Sequence, residues 1–478
     1  MGGGLLQLVA YGAQDAYVTG NPHITFWKVM YKRHTNFAME AMRVNFTGTA
    51  QYGQRVVSIV NRNADLIYRT YLEVTLPDTT AAATGNTRDV NWTPGAMRRL
   101  GYLMLEKIEV EIGGQVIDRH YGEWWYLWEC LTASVNQVLK ADQMLGGPIG
   151  GQTTTLTKCN GRPQVLYIPF GFWFNRNPGL ALPLIALQYH DVHFNVWFRK
   201  ATDLVTTYSA TLSNWPNIAS AAAALPPPKD AAIYIDYIYL DTDERRRFAQ
   251  DSHEYLIEQL QYSLPQTITS AQARLDLTLN HPIKELVWVF QDARRLDCSL
   301  PTGTPADFYT GVAITAAGSG TPGPPGQSVG GYTQPFAYDD IVDRCRIQLN
   351  GQDRFDKRYG DYFWKVQPFQ HHTGGAMPLL NSYTIEDNVT APDRDPIYYG
   401  PVNPINVYSF ALQPEEHQPS GSCNFSRIDT ATLVFDSVKN GGTSGFPSKN
   451  TPFVFRLFAV NYNVFRVMSG MGGLAYSN

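Results

Sequence analysis

Apolar and polar positions alternate with a period of two through much of the chain. Residues 42–48 (MRVNFTG), 55–61 (RVVSIVN) and 65–77 (DLIYRTYLEVTLP) follow this pattern, the mark of strands that face two different environments. A long strand pair over 100–117 and runs at 163–174, 179–188, 190–199 and 232–241 continue it. Further runs at 255–264, 273–280, 284–292, 340–352, 403–414, 426–436 and 451–470 repeat the order. Helical spacing is confined to short segments. Leu5, Leu8 and Val9 share one face, residues 121–140 form an amphipathic helix, and residues 241–256 begin a helix with Asp241 or Thr242 as N-cap. Long stretches rich in Gly, Pro, Thr, Ala and Ser separate the strands at 78–95, 145–162, 201–230 and 300–335; they read as exposed loops.

One stretch occurs twice. Residues 113–125 (GGQVIDRHYGEWW) return as residues 350–364 (NGQDRFDKRYGDYFW). Gly114 and Gln115 answer to Gly351 and Gln352, Tyr121 and Gly122 to Tyr359 and Gly360, and Asp191 to Asp429. A spacing this long is the length of a domain, not of a solenoid repeat. The chain therefore reads as two copies of one all-β domain, each with about eight strands. An eight-stranded jelly-roll β-sandwich suits such runs better than a lipocalin-like barrel. The expected organisation is an N-terminal arm over 1–40, jelly roll 1 over 41–200, an insert loop, strand and linker helix over 201–250, jelly roll 2 over 251–470 and a C-terminal tail over 471–478.

Composition narrows the function. Charged residues make up 17% of the 478-residue chain and aromatics 13%, against about 25% charged in ordinary soluble domains. Little charge means much of the surface is covered by partners. The net charge of −4 offers nucleic acid no general attraction, so direct contact with nucleic acid is not expected. Five cysteines without a CxxC pair indicate neither a zinc site nor a disulfide framework and fit a reducing compartment. No apolar run is long enough to span a bilayer, no secretory signal is legible, and Leu6 stands where a myristoylation signal has Ser or Thr.

Four separated segments carry a family likeness: 10–38 (AYGAQDAYVTGNPHITFWKVMYKRHTNFA), 182–192 (LPLIALQYHDV), 239–261 (YLDTDERRRFAQDSHEYLIEQLQ) and 418–429 (QPSGSCNFSRID). With these the chain resembles the major capsid proteins of nucleocytoplasmic large DNA viruses, of a marseillevirus-like or iridovirus-like kind. The resemblance implies a double jelly roll that forms a homotrimeric, pseudo-hexagonal capsomer. Such capsomers tile the icosahedral outer shell of the virion over an internal membrane and are assembled in the host cytoplasm. Its implied partners are copies of itself, neighbouring capsomers, and minor capsid, cement and penton proteins, with no cofactor. Two alternatives remain open: a double jelly-roll scaffold or minor capsid protein, and a tandem β-sandwich that binds carbohydrate or mediates adhesion.

No catalytic set emerges. The chain has no GxSxG, P-loop lysine or HExxH motif. His190 and His193, and likewise His371 and His372, point to opposite sides of an extended chain and make no metal site. Glu123 and Asp361 repeat one turn in separate domains and are not a glycosidase pair. No catalytic, cofactor or metal residue is expected. The expected interaction residues lie on the arm, at the base of a capsomer: Phe26, Trp27, Lys28, Tyr31, Lys32, Arg33 and His34. The arm either straps its own domain or reaches a neighbouring subunit or an underlying surface, where its cations would meet phospholipid headgroups. Of four Asn-x-Ser/Thr sequons, Asn45 and Asn424 fall in strand or motif segments, whereas Asn91 and Asn388 fall in loops where glycosylation is sterically open.

Overall fold

The computed structural model describes residues 3–10, 12–76, 89–92, 100–146, 165–208, 226–270, 272–292, 342–374, 405–438 and 453–476. The first half contains β1 (Phe37–Thr47), β2 (Arg55–Ile59), β3 (Leu66–Thr75), β4 (Leu105–Ile112), β5 (Gln115–Tyr121), β6 (Val165–Pro169), β7 (Val192–Phe198) and β8 (Asp230–Leu240). They pair antiparallel as β1-β8-β3-β6 and β2-β7-β4-β5. The two sheets meet at one corner, where Phe46 and Thr47 of β1 pair with Ser58 and Val57 of β2. The second half contains β9 (His253–Ile268), β10 (Ala273–Asp276), β11 (Pro282–Asp292), β12 (Val342–Leu349), β13 (Gln352–Asp353), β14 (Asn406–Ser409), β15 (Ala431–Val438) and β16 (Phe453–Met468). These pair as β9-β16-β11-β14 and β10-β15-β12-β13. The connectivity is identical strand for strand, so both halves are jelly rolls of one topology.

Strand β8 corrects the expected boundary. A cut at residue 200 leaves it in an insert, yet it lies between β1 and β3 and pairs with both along its length. Its partners precede it by more than 150 residues, and local pattern carries no information about so distant a pairing. Jelly roll 1 also starts before residue 41, because β1 begins at Phe37. The helix expected over 121–140 is two helices, α3 (Gly122–Thr132) and α4 (Val135–Leu145), separated where Ala133 turns extended. The segment 78–95 includes a strand over Asp89–Trp92, paired with Val205–Tyr208 from the segment 201–230. Asn91 therefore stands in a strand, not a loop. Asn388 and the segment 300–335 lie outside the described residues. Helix α5 (Thr242–Gln250) starts as expected, with the Asp241 side chain accepting from the Thr242 amide.

The two ends of the molecule differ. The end of β3 at Thr75 lies opposite the starts of β8 and β6, and the end of β11 at Asp292 lies opposite the start of β16. The strand ends Thr75, Val165, Asp230, Asp292 and Phe453 mark this end. The opposite end carries the start of β1, helix α5, the turn after β16 and the N-terminal arm. Helix α1 (Gly3–Val9) straps the end of jelly roll 1: its Gly4 amide donates to the Glu40 carboxylate at 2.8 Å. A Cβ on Gly4 would lie 2.7 Å from the Tyr239 ring, so only glycine permits this approach.

The cores follow the alternation, with one exception that organises the molecule. Inside jelly roll 2, Leu286, Trp288, Phe290 and Leu457 pack with Ile347, Leu433 and Phe435. The other face of the same strands, with Val287, Val289, Phe458 and Val460, is equally buried and belongs to the core of jelly roll 1. Strands β11 and β16 are thus covered on both sides, which accounts for the unbroken apolar runs at 286–290 and 457–460. β1, the counterpart of β9, alternates cleanly and leaves one face to solvent.

A fragment of residues 1–200 should be unfolded by circular dichroism, and extending it to residue 250 should restore β structure. Folding of the shorter fragment would contradict the central placement of β8.

Candidate functional site

The repeated stretch builds the contact between the jelly rolls. In its first copy, β5 leads into α3 through Gly122, where a Cβ would lie 2.0 Å from the Tyr102 carbonyl oxygen. Beside it a buried chain of hydrogen bonds fixes the strand: Trp125 Nε1 donates to His120 Nδ1 at 2.9 Å, and His120 Nε2 faces Asp118 at 3.0 Å. The indole donor requires an unprotonated Nδ1, so the ring carries its proton on Nε2 toward the carboxylate. Asp118 also accepts from the Leu260 amide of jelly roll 2 at 3.2 Å, and the Gln259 side chain donates to the Ile117 carbonyl.

Aromatic rings fill the contact. Tyr121 lies 4.7 Å from Tyr262, Trp124 lies 5.5 Å from Phe458, and Trp173 lies 6.1 Å from Phe465. Around them sit ion pairs that cross the contact. Glu123 is paired with Arg456 and lies 3.8 Å from Arg199. Glu258 receives Arg176 of jelly roll 1 at 3.0 Å and the fully buried Lys284 at 2.6 Å. Burial alone would raise the Glu258 pKa, but Arg176, His417 and Lys284 together hold it at about 2. His372 sits edge-on to Trp128 of α3, between Glu415 at 3.0 Å and Glu285 at 3.2 Å. Burial opposes its charge, and the two carboxylates overcome that and push the pKa up to about 9. Two residues on, the Gly374 amide donates to the Leu131 carbonyl at 2.7 Å.

The second copy of the stretch is more exposed among the described residues, although Arg344 lies over the Tyr359 ring at 4.9 Å and donates to its hydroxyl at 3.1 Å. Tyr359 stands where Tyr121 stands, each before a glycine and the start of a helical segment, and it is 60% exposed. Counted along the sequence from that tyrosine, Val366 and Phe369 correspond to Trp128 and Leu131, although Tyr362–Val366 winds as a π-helix where the first copy is α-helical. Leu131 is 4% exposed and Phe369 is 87% exposed. The sheet face of jelly roll 2 that receives the β5–α3 surface has a counterpart on jelly roll 1, where Tyr71 and Tyr234 are half-buried. On the outer face of jelly roll 1, Tyr234 of β8 pairs with Arg43 of β1 and Tyr71 of β3, as Phe458 of β16 pairs with Tyr262 and Val287. The Tyr71 and Tyr234 rings stack at 5.2 Å, with Tyr167 edge-on to Tyr71 at 6.1 Å.

The other sequence-predicted residues are dispersed. His190 meets the Gly472 backbone, and His193 lies 3.9 Å from Glu111. His371 meets the Leu412 carbonyl, away from the carboxylates that hold His372. Asp361, the counterpart of Glu123, pairs with Lys365 at 2.7 Å. On the arm, the strands His23–Ile24 and Val29–Met30 form a hairpin with Phe26 and Trp27 at its tip. Tyr31 follows, and the Arg33 backbone bonds with Val18 and Gly20. The arm residues are brought together with one another, not with the junction. Sequence reasoning missed the junction ion pairs Arg176–Glu258 and Glu285–His372–Glu415, whose members are far apart in the chain.

Both charges of a junction pair must be present. Glu258→Ala should cost about 3 kcal/mol by urea denaturation, because the fully buried Lys284 then loses its carboxylate. The pH dependence has two limbs. The His372 contribution is complete below its ordinary value of 6.5 and is lost as pH rises through about 9; that of Glu258 is complete above 4.5 and lost as pH falls through about 2. Thermal stability should therefore fall between pH 6.5 and pH 9, and His372→Gln should flatten that decline. An unchanged decline in the variant would assign it to other groups.

Comparison with known proteins places this architecture. Residues 25–241 match the model for the major capsid protein N-terminus, and residues 244–391 and 394–473 match that for the large eukaryotic DNA virus major capsid protein. The chain is 43% identical over 483 residues to the major capsid protein of Pyramimonas orientalis virus and 37% identical over 500 residues to that of Paramecium bursaria Chlorella virus 1, with 100% of each chain covered. Identity to the major capsid protein of Tipula iridescent virus is 24%, so the iridovirus-like lineage is the more distant of these. Among solved structures, the quasi-atomic model of the PBCV-1 virus capsid superposes with a TM-score of 0.68 at 33% identity, covering 95% of this chain and 100% of that one. The Faustovirus major capsid protein shares the fold at 13% identity, with a TM-score of 0.65 and 93% of each chain covered. Two jelly rolls of one topology, matched from end to end, make this chain a member of the major capsid proteins of large eukaryotic DNA viruses.

Proposed function

We propose that three copies of this chain close into a ring of six jelly rolls, and that these capsomers tile the outer shell of the virion. The observation that supports this reading is the repeated stretch, whose first copy is buried at the junction and whose second leaves Tyr359 60% and Phe369 87% exposed among the described residues. Within a chain, the β5–α3 surface of jelly roll 1 rests on the outer sheet face of jelly roll 2. Between chains, the Tyr359–Phe369 surface of jelly roll 2 rests on the Tyr71–Tyr234 face of the next chain's jelly roll 1. A heterologous contact of this kind forms either a closed ring or an open filament. Jelly rolls of one topology make the intrachain and interchain steps similar in angle, and three two-domain chains then close as a near-hexagon. Large aromatic interfaces that exclude charge are typical of permanent assemblies, in keeping with the low charge of the chain.

The end at which β3 and β11 finish faces outward in this reading, and the end that carries the arm and α5 faces the base. There the arm meets minor capsid, cement or penton proteins, close to an internal membrane. Assembly takes place in the host cytoplasm, and the subunit acts as a building block without catalysis or direct contact with nucleic acid.

Light scattering on the purified chain should give three times the 53.5 kDa chain mass. Phe369→Asp combined with Tyr359→Asp should give monomers with unchanged circular dichroism. A double variant that keeps the assembled mass would place the interchain contact elsewhere.

A further inference from the structure

The arm beyond α1 is a small folded knob of its own. Helix α2 (Ala13–Val18) and the hairpin hold each other through Thr19 and Arg33, with Lys32 5.4 Å from the Tyr17 ring and Arg33 3.9 Å from Asp15. Its tether to the body includes the Thr35 hydroxyl, which donates to Glu244 at 2.6 Å. At the hairpin tip the Thr25 amide and hydroxyl donate to the Lys28 carbonyl, and the Lys28 amide donates to the Thr25 hydroxyl. These bonds fix a two-residue turn. Its central side chains, Phe26 and Trp27, are 100% and 97% exposed. Ile24 and Tyr31 flank them, also mostly exposed.

The charge is one-sided. No Asp or Glu occurs between Asp15 and Glu40, a run that holds Lys28, Lys32, Arg33, His23 and His34 in a chain of net charge −4. An apolar aromatic apex above a collar of cations is the pattern of an interfacial anchor: Trp and Tyr favour the boundary between headgroups and hydrocarbon, and lysines at headgroup depth are drawn to anionic lipid. The internally bonded turn takes part of its own backbone polarity into that boundary already satisfied.

We propose that the Phe26–Trp27 tip inserts into the surface of an anionic lipid bilayer, with Lys28 and Lys32 at the headgroups. The place of this contact in the virion rests on the reading of the arm end as the base; the affinity for lipid is a property of the chain itself.

The test floats the purified full-length chain with vesicles of phosphatidylcholine, or of phosphatidylcholine with phosphatidylserine, and measures assembled mass in parallel. Wild type should float with the phosphatidylserine vesicles. Phe26→Ser with Trp27→Ser should lower the bound fraction about tenfold, and Lys28→Gln with Lys32→Gln should lower it in low salt, all at unchanged mass and circular dichroism. Failure of wild type to float, equal flotation with phosphatidylcholine alone, or full flotation of the Phe26/Trp27 variant overturns the proposal. Loss of assembled mass in that variant also overturns it and makes a second copy of the chain the occupant of the tip. A wild type that floats without forming an oligomer would overturn the ring and leave the lipid contact standing.

Discussion

The structure depends on one sheet that must be buried on both faces. Strands β9, β16 and β11 place Trp288 and Leu457 in their own core and Val287 and Phe458 in the core of the neighbouring jelly roll. Neither face is tolerable in water: each buried aromatic or aliphatic side chain contributes on the order of 2 kcal/mol. Jelly roll 2 therefore needs the β5–α3 surface of jelly roll 1 to complete it. The duplication joins two domains through an interior junction, not a flexible linker contact.

Charge inside this junction serves position more than strength. Buried ion pairs recover little more than their desolvation cost, yet a misplaced register would strand Glu258, Glu123 or His372 without partners. Glu258 binds a cation from each jelly roll, and His372 binds two carboxylates of its own jelly roll while touching Trp128 of the other. Aromatic packing supplies the attraction, and the ionic groups select one docking geometry. The same division appears on the second copy of the stretch, where Phe369 is exposed and Asp361 and Lys365 pair with each other.

Much of the fold was legible in the sequence, because strand alternation and turn composition are local. The duplicated Tyr-Gly-acid stretch also revealed the second domain, since Gly122 is held in place by a close backbone approach that no other residue permits. The domain boundary was not legible: β8 is a good strand wherever it pairs, and only its distant partners β1 and β3 assign it to jelly roll 1. The break at Ala133 escaped notice because an apolar helical pattern continues across it. At the site, the motif was legible but its burial was not. One signal was available, since β11 and β16 lack the alternation that β1 keeps. A strand apolar on both faces announces a second partner. Pairs such as Arg176–Glu258 depend on tertiary proximity alone.

In the proposed assembly, the second copy of the junction stretch makes between chains the contact that the first makes within one. The most direct measurement of that contact is photo-crosslinking from a benzoylphenylalanine placed at position 369, with the crosslinked peptide identified by mass spectrometry. The account expects adducts between chains, on the outer face that holds Arg43, Tyr71 and Tyr234. Adducts on any other surface, or only within one chain, would contradict it.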